Sequence, residues 1–294
     1  MKELPDHHIL MAIKDLSLAA RRTIDGFMTG INKSQVKGPG LEFNQYRSYQ
    51  PGDDLRWLDW KRYARSDRYY IRESEVETGI SIRMVLDASN SMNHRDGDFT
   101  KIDYARYLAA SLGWLANRQG DSFGLYTLRG GDIYSLPSRK DPQHLARYFH
   151  QLETIDPLGK LGSPHQYEHI FTGDARRELV VLITDMYERE GEISRLLELL
   201  ASLRHEVIVF HIMGKNELEP DYSGYDRVED LETGVQVPAA GRETRDAYRE
   251  YLDRWLSAVR MNLLDKQIAY QLLRMDQPLD QALRDFLRQR QRVG

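Results

Sequence analysis

Cysteine is missing from this chain altogether. That single absence excludes a disulfide framework, thiolate zinc sites and cysteine nucleophiles, and it is compatible with a reducing compartment. An excess of one charge is missing too. Lys and Arg number 41 against 45 Asp and Glu, a formal net charge of -4, so no overall basic field points to nucleic acid. No apolar run approaches the roughly 18 to 20 residues that span a bilayer. The opening stretch MKELPDHHILMAIKDLSLAARR has neither an apolar core nor a small-residue cleavage site, which argues against a secretory signal. No internal repeat or low-complexity tract is visible. The expectation from these absences is a soluble, cytoplasmic protein.

What is present is ordinary for a globular chain. With 294 residues, 41% hydrophobic and 29% charged, there is enough material for a real core. The first 30 residues place Leu10, Ile13, Leu16, Leu18 and Ala19 near a helical period. GPGLEFNQYRSYQPGDDLRWLDW follows, rich in turn formers and aromatics, with Pro51-Gly52-Asp53-Asp54 as a turn signal. RYYIRESEVETGISIRMVLDAS reads as two strands joined near Thr78-Gly79. Beyond Ser91 strands alternate with helices: a helix from Ile102 to Asn117, a hairpin turning at Gly130-Gly131, and a helix opened by Asp141-Pro142. The strands ELVVLITD and EVIVFHIM flank a helix from Glu192 to Leu203. These strands are continuously apolar rather than alternating. That pattern predicts an α/β fold, a mostly parallel sheet with helices on both faces. The expected organisation is an N-terminal helix and β-rich segment over 1–79 and a main domain over 80–215. A C-terminal strand and helix extension over 216–294 packs on that domain.

One stretch asks for a chemical reading. Asp87-Ala88-Ser89-Asn90-Ser91-Met92 follows the apolar run ISIRMVL, and a second strand, VVLITD, ends in Asp185. In an open α/β sheet ligands bind outside the carboxyl ends of the strands, where strand order reverses. Loops converging there would offer Asp87, Ser89, Ser91 and Asp185, with Ser163 of Gly162-Ser163-Pro164 from the segment between. These are hard oxygen donors, suited to Mg²⁺, Mn²⁺ or Ca²⁺. The bland alternative is that aspartate and serine at a strand end are turn formers and helix caps. A serine nucleophile would need a base and an orienter, and no histidine stands in a companion motif; His94 lies in the polar loop HRDGD. A phosphoryl-transfer aspartate would want a second aspartate where Ser89 stands. His165 and His169 in HQYEH lack the glutamate that a zinc-hydrolase motif places after the first histidine. The basic cluster Lys61, Arg62, Arg65, Arg68 and Arg72 is interleaved with Asp59, Asp67, Glu73 and Glu75, which favours internal ion pairs over nucleic acid.

The pattern D-x-S-x-S after a first buried strand, with an aspartate after a later one, resembles the metal-ion-dependent adhesion site of the von Willebrand factor A domain. Asp87, Ser89, Ser91 and Asp185 match it residue by residue. The family's middle-loop threonine has no direct counterpart; Ser163 stands nearest by position and Thr172 is the poorer match. A longer motif, E-F-x-x-x-R-x-Y-x-P-G-D-D-x-R-x-L-D-W-x-x-x-A-R from Glu42 to Arg65, resembles the signature of the bacterial family "domain of unknown function 58". There it precedes a von Willebrand A-like domain. The chain resembles the soluble subgroup of that family, and the resemblance implies a MoxR-type AAA+ ATPase as partner. Asp53, Asp54, Arg56, Asp59, Trp60 and Arg65 are then either a structural clasp, with Trp60 buried and Arg56 ion-paired, or a second binding surface. The resulting expectation is not an enzyme but a metal-dependent adaptor that binds the ATPase and a client protein. A metal-dependent hydrolase and an apo scaffold remain the alternatives.

Overall fold

The computed structural model describes residues 15–33, 46–48, 70–72, 80–172, 177–203, 205–220, 227–229, 236–238 and 242–284. The chain divides into two compact units: residues 34–79, and residues 1–33 together with 80–294. The helix expected within a continuous 1–79 segment therefore groups with the larger unit. That helix is α1 (Leu16–Lys33). In the smaller unit β1 (Tyr46–Ser48) pairs antiparallel with β2 (Tyr70–Arg72). Asp53, Asp54, Arg56, Asp59, Trp60 and Arg65 lie outside the described residues.

The larger unit continues with β3 (Ser81–Asp87), a short hairpin of β4 (Arg95–Asp96) and β5 (Phe99–Thr100), then α2 (Lys101–Gln119). Next come β6 (Ser122–Arg129), β7 (Asp132–Arg139), α3 (His144–Glu153), α4 (Glu168–Thr172) and β8 (Leu179–Thr184). α5 (Glu192–Ser202), β9 (Glu206–Met213) and the single turn α6 (Lys215–Leu218) follow. A small antiparallel pair of β10 (Arg227–Glu229) with β11 (Gln236–Pro238) precedes α7 (Arg242–Asp265) and β12 (Ala269–Arg274). None of the helices, among the described residues, is long and apolar enough to cross a membrane.

Six strands form one sheet in the order β12-β9-β8-β3-β6-β7, parallel throughout except for β7. Numbered along the chain, this is the doubly wound order 3-2-1-4-5-6, which reverses between β3 and β8. With its single antiparallel edge strand the fold is von Willebrand A-like. β3 pairs with β6 and β8, both of which follow it in the chain. The sheet also extends past residue 215, because β12 forms its far edge beside β9.

The continuous apolar strands fit this placement, since both faces of the sheet are covered. Met84, Leu86, Leu125 and Ile183 face one core with Leu108 of α2, Tyr148 of α3 and Ile24 of α1. Val85, Leu182 and Val209 face the other with Leu196 of α5. Local signals set the ends of the elements. The Thr100 side chain accepts from the Asp103 amide while Asp103 reaches back to the Thr100 amide, and Gly120 closes α2 in the left-handed conformation. Gly130 and Gly131 both take positive φ, as a two-residue hairpin requires. α3 starts at His144, two residues after the Asp141-Pro142 signal. Asp141 instead accepts from the Gln143 amide and pairs with Arg147 at 2.7 Å.

One ion pair is buried in the sheet. The Arg83 guanidinium on β3 meets Glu178, donates to the Ile170 carbonyl and lies 4.9 Å from the Tyr126 ring centroid. Ser81 donates to the other Glu178 oxygen at 2.8 Å. Removing only the acid strands a buried cation, so Glu178→Ala is expected to cost about 3–5 kcal/mol. Urea denaturation at pH 7 measures this. An unchanged midpoint would show that the pair contributes nothing to stability.

Candidate functional site

The register of β3 against β8 builds the site. Leu86 lies opposite Ile183, so the next residues, Asp87 and Thr184, stand side by side at the carboxyl ends of adjacent strands. Both point to the face that carries Val85 and Leu182. Thr184 Oγ1 donates to Asp87 Oδ2 at 2.7 Å and accepts from the Met186 amide at 3.0 Å. Asp87 Oδ1 accepts from the Ser89 amide at 2.9 Å, which folds the strand end back on itself. The chain then enters a 3-10 turn over Asn90–Asn93, and this brings the Ser89 and Ser91 hydroxyls to 3.0 Å. Asp185 completes the rim, hydrogen-bonded to Ser91 and accepting from the Tyr187 amide at 3.1 Å. Met186, just beyond it, takes φ 57°, a conformation that costs a bulky residue about 1 kcal/mol or more. The surrounding hydrogen bonds hold it there.

The structure thus brings together Asp87, Ser89, Ser91 and Asp185. All are buried, and Ser91 is the most open at 8% exposure. The middle loop arrives beside them: the Leu158 amide donates to the Ala88 carbonyl and the Asn90 amide to the Gly159 carbonyl. Ser163 is exposed at the end of that loop, and no hydrogen bond joins its hydroxyl to the set. Thr172 is also exposed, its hydroxyl spent on the Glu168 carbonyl. Tyr167 is buried in this region, and its hydroxyl accepts from the Gly162 amide. Gly162 is needed there, because a Cβ would collide with that hydroxyl and with Gln166.

Three further residues complete the site, and the sequence reading did not pick them out. Thr184 reads as one more member of an apolar strand. Lys101 stands one residue before the helix expected from Ile102; its side chain is buried and its ammonium lies 3.0 Å from Asp185 Oδ2 and 2.8 Å from Glu217 Oε1. Glu217 is held in turn, its other oxygen accepting from the Gly214 amide at 2.7 Å. A lysine at the first residue of a helix opposes the helix dipole, and the two carboxylates offset that cost. The only local hint was Lys101 following the capping residue Thr100 directly. His94 is half-buried rather than exposed, facing Asn216 Oδ1 at 2.8 Å and so tying the β4–β5 hairpin to α6.

The charges divide unevenly. Burial, and next the neighbouring charge of Asp185, push the Asp87 carboxyl up to about 6. Burial would raise Asp185 as well, but the Lys101 ammonium outweighs it and holds this carboxyl below the usual range. Burial opposes the charge of Lys101, and Asp185 and Glu217 overcome it, so the ammonium is held above its ordinary value. Asp185 and Lys101 form an ionised pair, while Asp87 has only neutral donors. No group of three or more His, Cys, Asp or Glu side chains able to hold a metal occurs among the described residues. The set here is instead mixed, two carboxylates and two hydroxyls, all hard donors. The unrelieved charge on Asp87 is one that a divalent cation would relieve, so the residues fit a hard metal ion.

A raised folded-state pKa means that the proton favours the fold. In chelator, Asp87 contributes stability below its ordinary value of 3.8 and loses it as the pH climbs to about 6. Asp87→Asn keeps an acceptor and removes the charge. Without metal it is expected to be more stable than the parent at pH 7, by at most about 3 kcal/mol, with the gain shrinking as pH falls from 6 towards 4. Paired thermal melts across that range check this. A variant less stable at pH 7, or a pH-independent difference, contradicts the assignment.

The chain as a whole is similar to several known proteins. The family model described as "Protein of unknown function DUF58" matches residues 45–255. Uncharacterised proteins of Mycobacterium tuberculosis H37Rv and Mycobacterium bovis are each 27% identical over 237 residues, covering 79% of this chain and 74% of theirs. Among solved structures, BatB of Bacteroides thetaiotaomicron is 20% identical with a TM-score of 0.44, covering 71% of this chain and 100% of that one. An aerotolerance-related membrane protein of Bacteroides fragilis is 20% identical with a TM-score of 0.46, covering 72% and 100%. The VWA domain of SpRpn10 is 11% identical with a TM-score of 0.39, covering 69% and 93%.

Proposed function

The chain belongs to the DUF58 family of proteins of unknown function, and from that premise we propose that it is a metal-dependent protein-binding adaptor of von Willebrand A type. The observation that carries the reading is the convergence of Asp87, Ser89, Ser91 and Asp185 at the point where strand order reverses. Ser89 and Ser91 would hold a Mg²⁺, Mn²⁺ or Ca²⁺ ion, with Asp87 and Asp185 beside them and Ser163 as the middle-loop candidate. Such an ion supplies a coordination position that an acidic side chain of a partner can complete. The partner implied by the family resemblance is a MoxR-type AAA+ ATPase acting with a client protein in assembly or maturation. A cytoplasmic setting goes with that partner.

Binding is favoured over hydrolysis because, among the described residues, no base stands at the rim apart from the would-be metal ligands themselves. Burial pushes Tyr167 up to about 12. Burial pushes His211, paired with Thr184 across β8 and β9, down to about 3. Lys101 is held charged, and Glu217 is engaged by Lys101 and the Gly214 amide. Tyr167, His211 and Lys101 are thus far from the near-neutral pKa that general-base catalysis prefers, and Glu217 is already engaged.

Calorimetry with Mg²⁺ and Mn²⁺ is expected to show one ion bound by the parent protein. Ser91→Ala should bind it at least 10-fold more weakly, since a direct ligand does no less than the outer-shell partners whose loss costs about 10–100-fold. Co-purification with the ATPase should be lost both in EDTA and in Ser91→Ala. Association that survives both treatments would sink the metal-bridge mechanism and move attention to the Glu42–Arg65 segment.

A further inference from the structure

Two features of Lys101 go unused by the adaptor reading. It is a buried cation placed against the helix dipole, and it occupies one oxygen of the very carboxylate that the metal reading needs. A purely structural lysine would be an expensive choice here, because an apolar side chain of similar length could fill the space with no charge to satisfy. Glu217 supplies a second acceptor 2.8 Å away, on a turn that belongs to neither carboxylate-bearing strand. The ammonium therefore already has a partner other than Asp185. Glu217 is itself fixed by the Gly214 amide. Around it, Asn216 is tied to His94 and to the Arg95 carbonyl, and the Lys215 amide to Asp96. The acceptor that would keep Lys101 when Asp185 is given up is thus rigidly anchored.

We infer that Lys101 is a tethered cation that competes with a divalent ion for Asp185 and so sets how tightly the rim binds metal. The inference rests on the metal-dependent reading above. With Lys101 on Asp185, the rim has one free carboxylate, Asp87, beside the two hydroxyls. With Lys101 drawn wholly to Glu217, both carboxylates are free. Two unit charges about 4 Å apart at a protein surface interact by enough to shift an equilibrium well over 10-fold, and a divalent ion doubles that opposition. Lys101 is accordingly a specificity-determining residue: it weakens the rim for divalent ions and leaves occupancy dependent on a partner's carboxylate.

Calorimetric titration of the full chain with Mg²⁺ and with Mn²⁺ tests this on the parent, Lys101→Met, Glu217→Gln and the double variant. Lys101→Met should bind at least about 10-fold more tightly than the parent. Its thermal midpoint should also rise more on adding Mg²⁺ than the parent's does, a readout that a merely structural lysine would not move. Glu217→Gln removes the negative charge that draws the ammonium away from Asp185 and should weaken binding. In the Lys101→Met background the same substitution should change affinity by less, since the ammonium that linked the two acids is gone. If the parent and Lys101→Met bind metal equally, the inference is overturned while the adaptor reading stands. If Lys101→Met alone binds, the inference stands and the native rim works without metal. If neither binds, both fall. Should Lys101→Met fail to fold, an unchanged affinity in Glu217→Gln overturns the inference on its own.

Discussion

Two carboxylates held out of water at adjacent strand ends repel each other, and much of this rim is arranged around that fact. Asp87 and Asp185 follow directly from the register of β3 and β8, which the two apolar cores fix from either side of the sheet. A slip of one residue would turn Asp87 to the opposite face and separate it from Thr184. Because the sheet sets the acids, the loops must satisfy them. The Ser89 amide and the Thr184 hydroxyl take Asp87, while Lys101, Ser91 and the Tyr187 amide take Asp185. The left-handed Met186 stands in the same turn, its amide donating to Thr184 at 3.0 Å.

The solution is asymmetric. One acid has a cation within hydrogen-bond distance, and the other has none. An arrangement built only for stability would neutralise both, or would replace the whole cluster with apolar packing as the rest of the sheet does. The buried pair of Arg83 and Glu178 shows the stable alternative within the same sheet, with hydrogen bonds and aromatic faces around a matched charge. At the rim the charge on Asp87 is left unmatched, and the proposed metal site rests on that contrast.

The part of this that could be read from sequence was the part encoded locally. Continuous apolar strands, the Gly130-Gly131 turn and strand ends closing on aspartate lie within short windows, and they implied the parallel sheet together with Asp87, Ser89, Ser91 and Asp185. What escaped was set by distance along the chain. Lys101 meets Asp185 across 84 residues and Glu217 across 116, so neither contact has a sequence signature. Thr184 looks like any strand residue until the register puts it beside Asp87. Ser163 stands nearest to the expected middle-loop ligand by position alone. The backbone does bring that loop to Ala88 and Asn90, but the side chain buried beneath it is Tyr167. The α1 helix was legible as a helix, yet its grouping with the sheet rather than with residues 34–79 depends on tertiary packing of Ala19, Ala20 and Ile24.

Lys101 also changes what the hydroxyls can mean. With two free acids, Ser89 and Ser91 would be minor contributors to a strongly anionic pocket. With Asp185 engaged by an ammonium, the hydroxyls and Asp87 supply most of the free oxygen at the rim, and the local charge is much closer to balance. A cation held by such a set keeps most of its positive charge, which is the condition for attracting a further carboxylate. The lysine that lowers affinity for the ion is therefore the same feature that would preserve the ion's attraction for an acidic partner. Weak metal binding and strong partner dependence would then have one physical origin, the placement of a single ammonium at the start of α2.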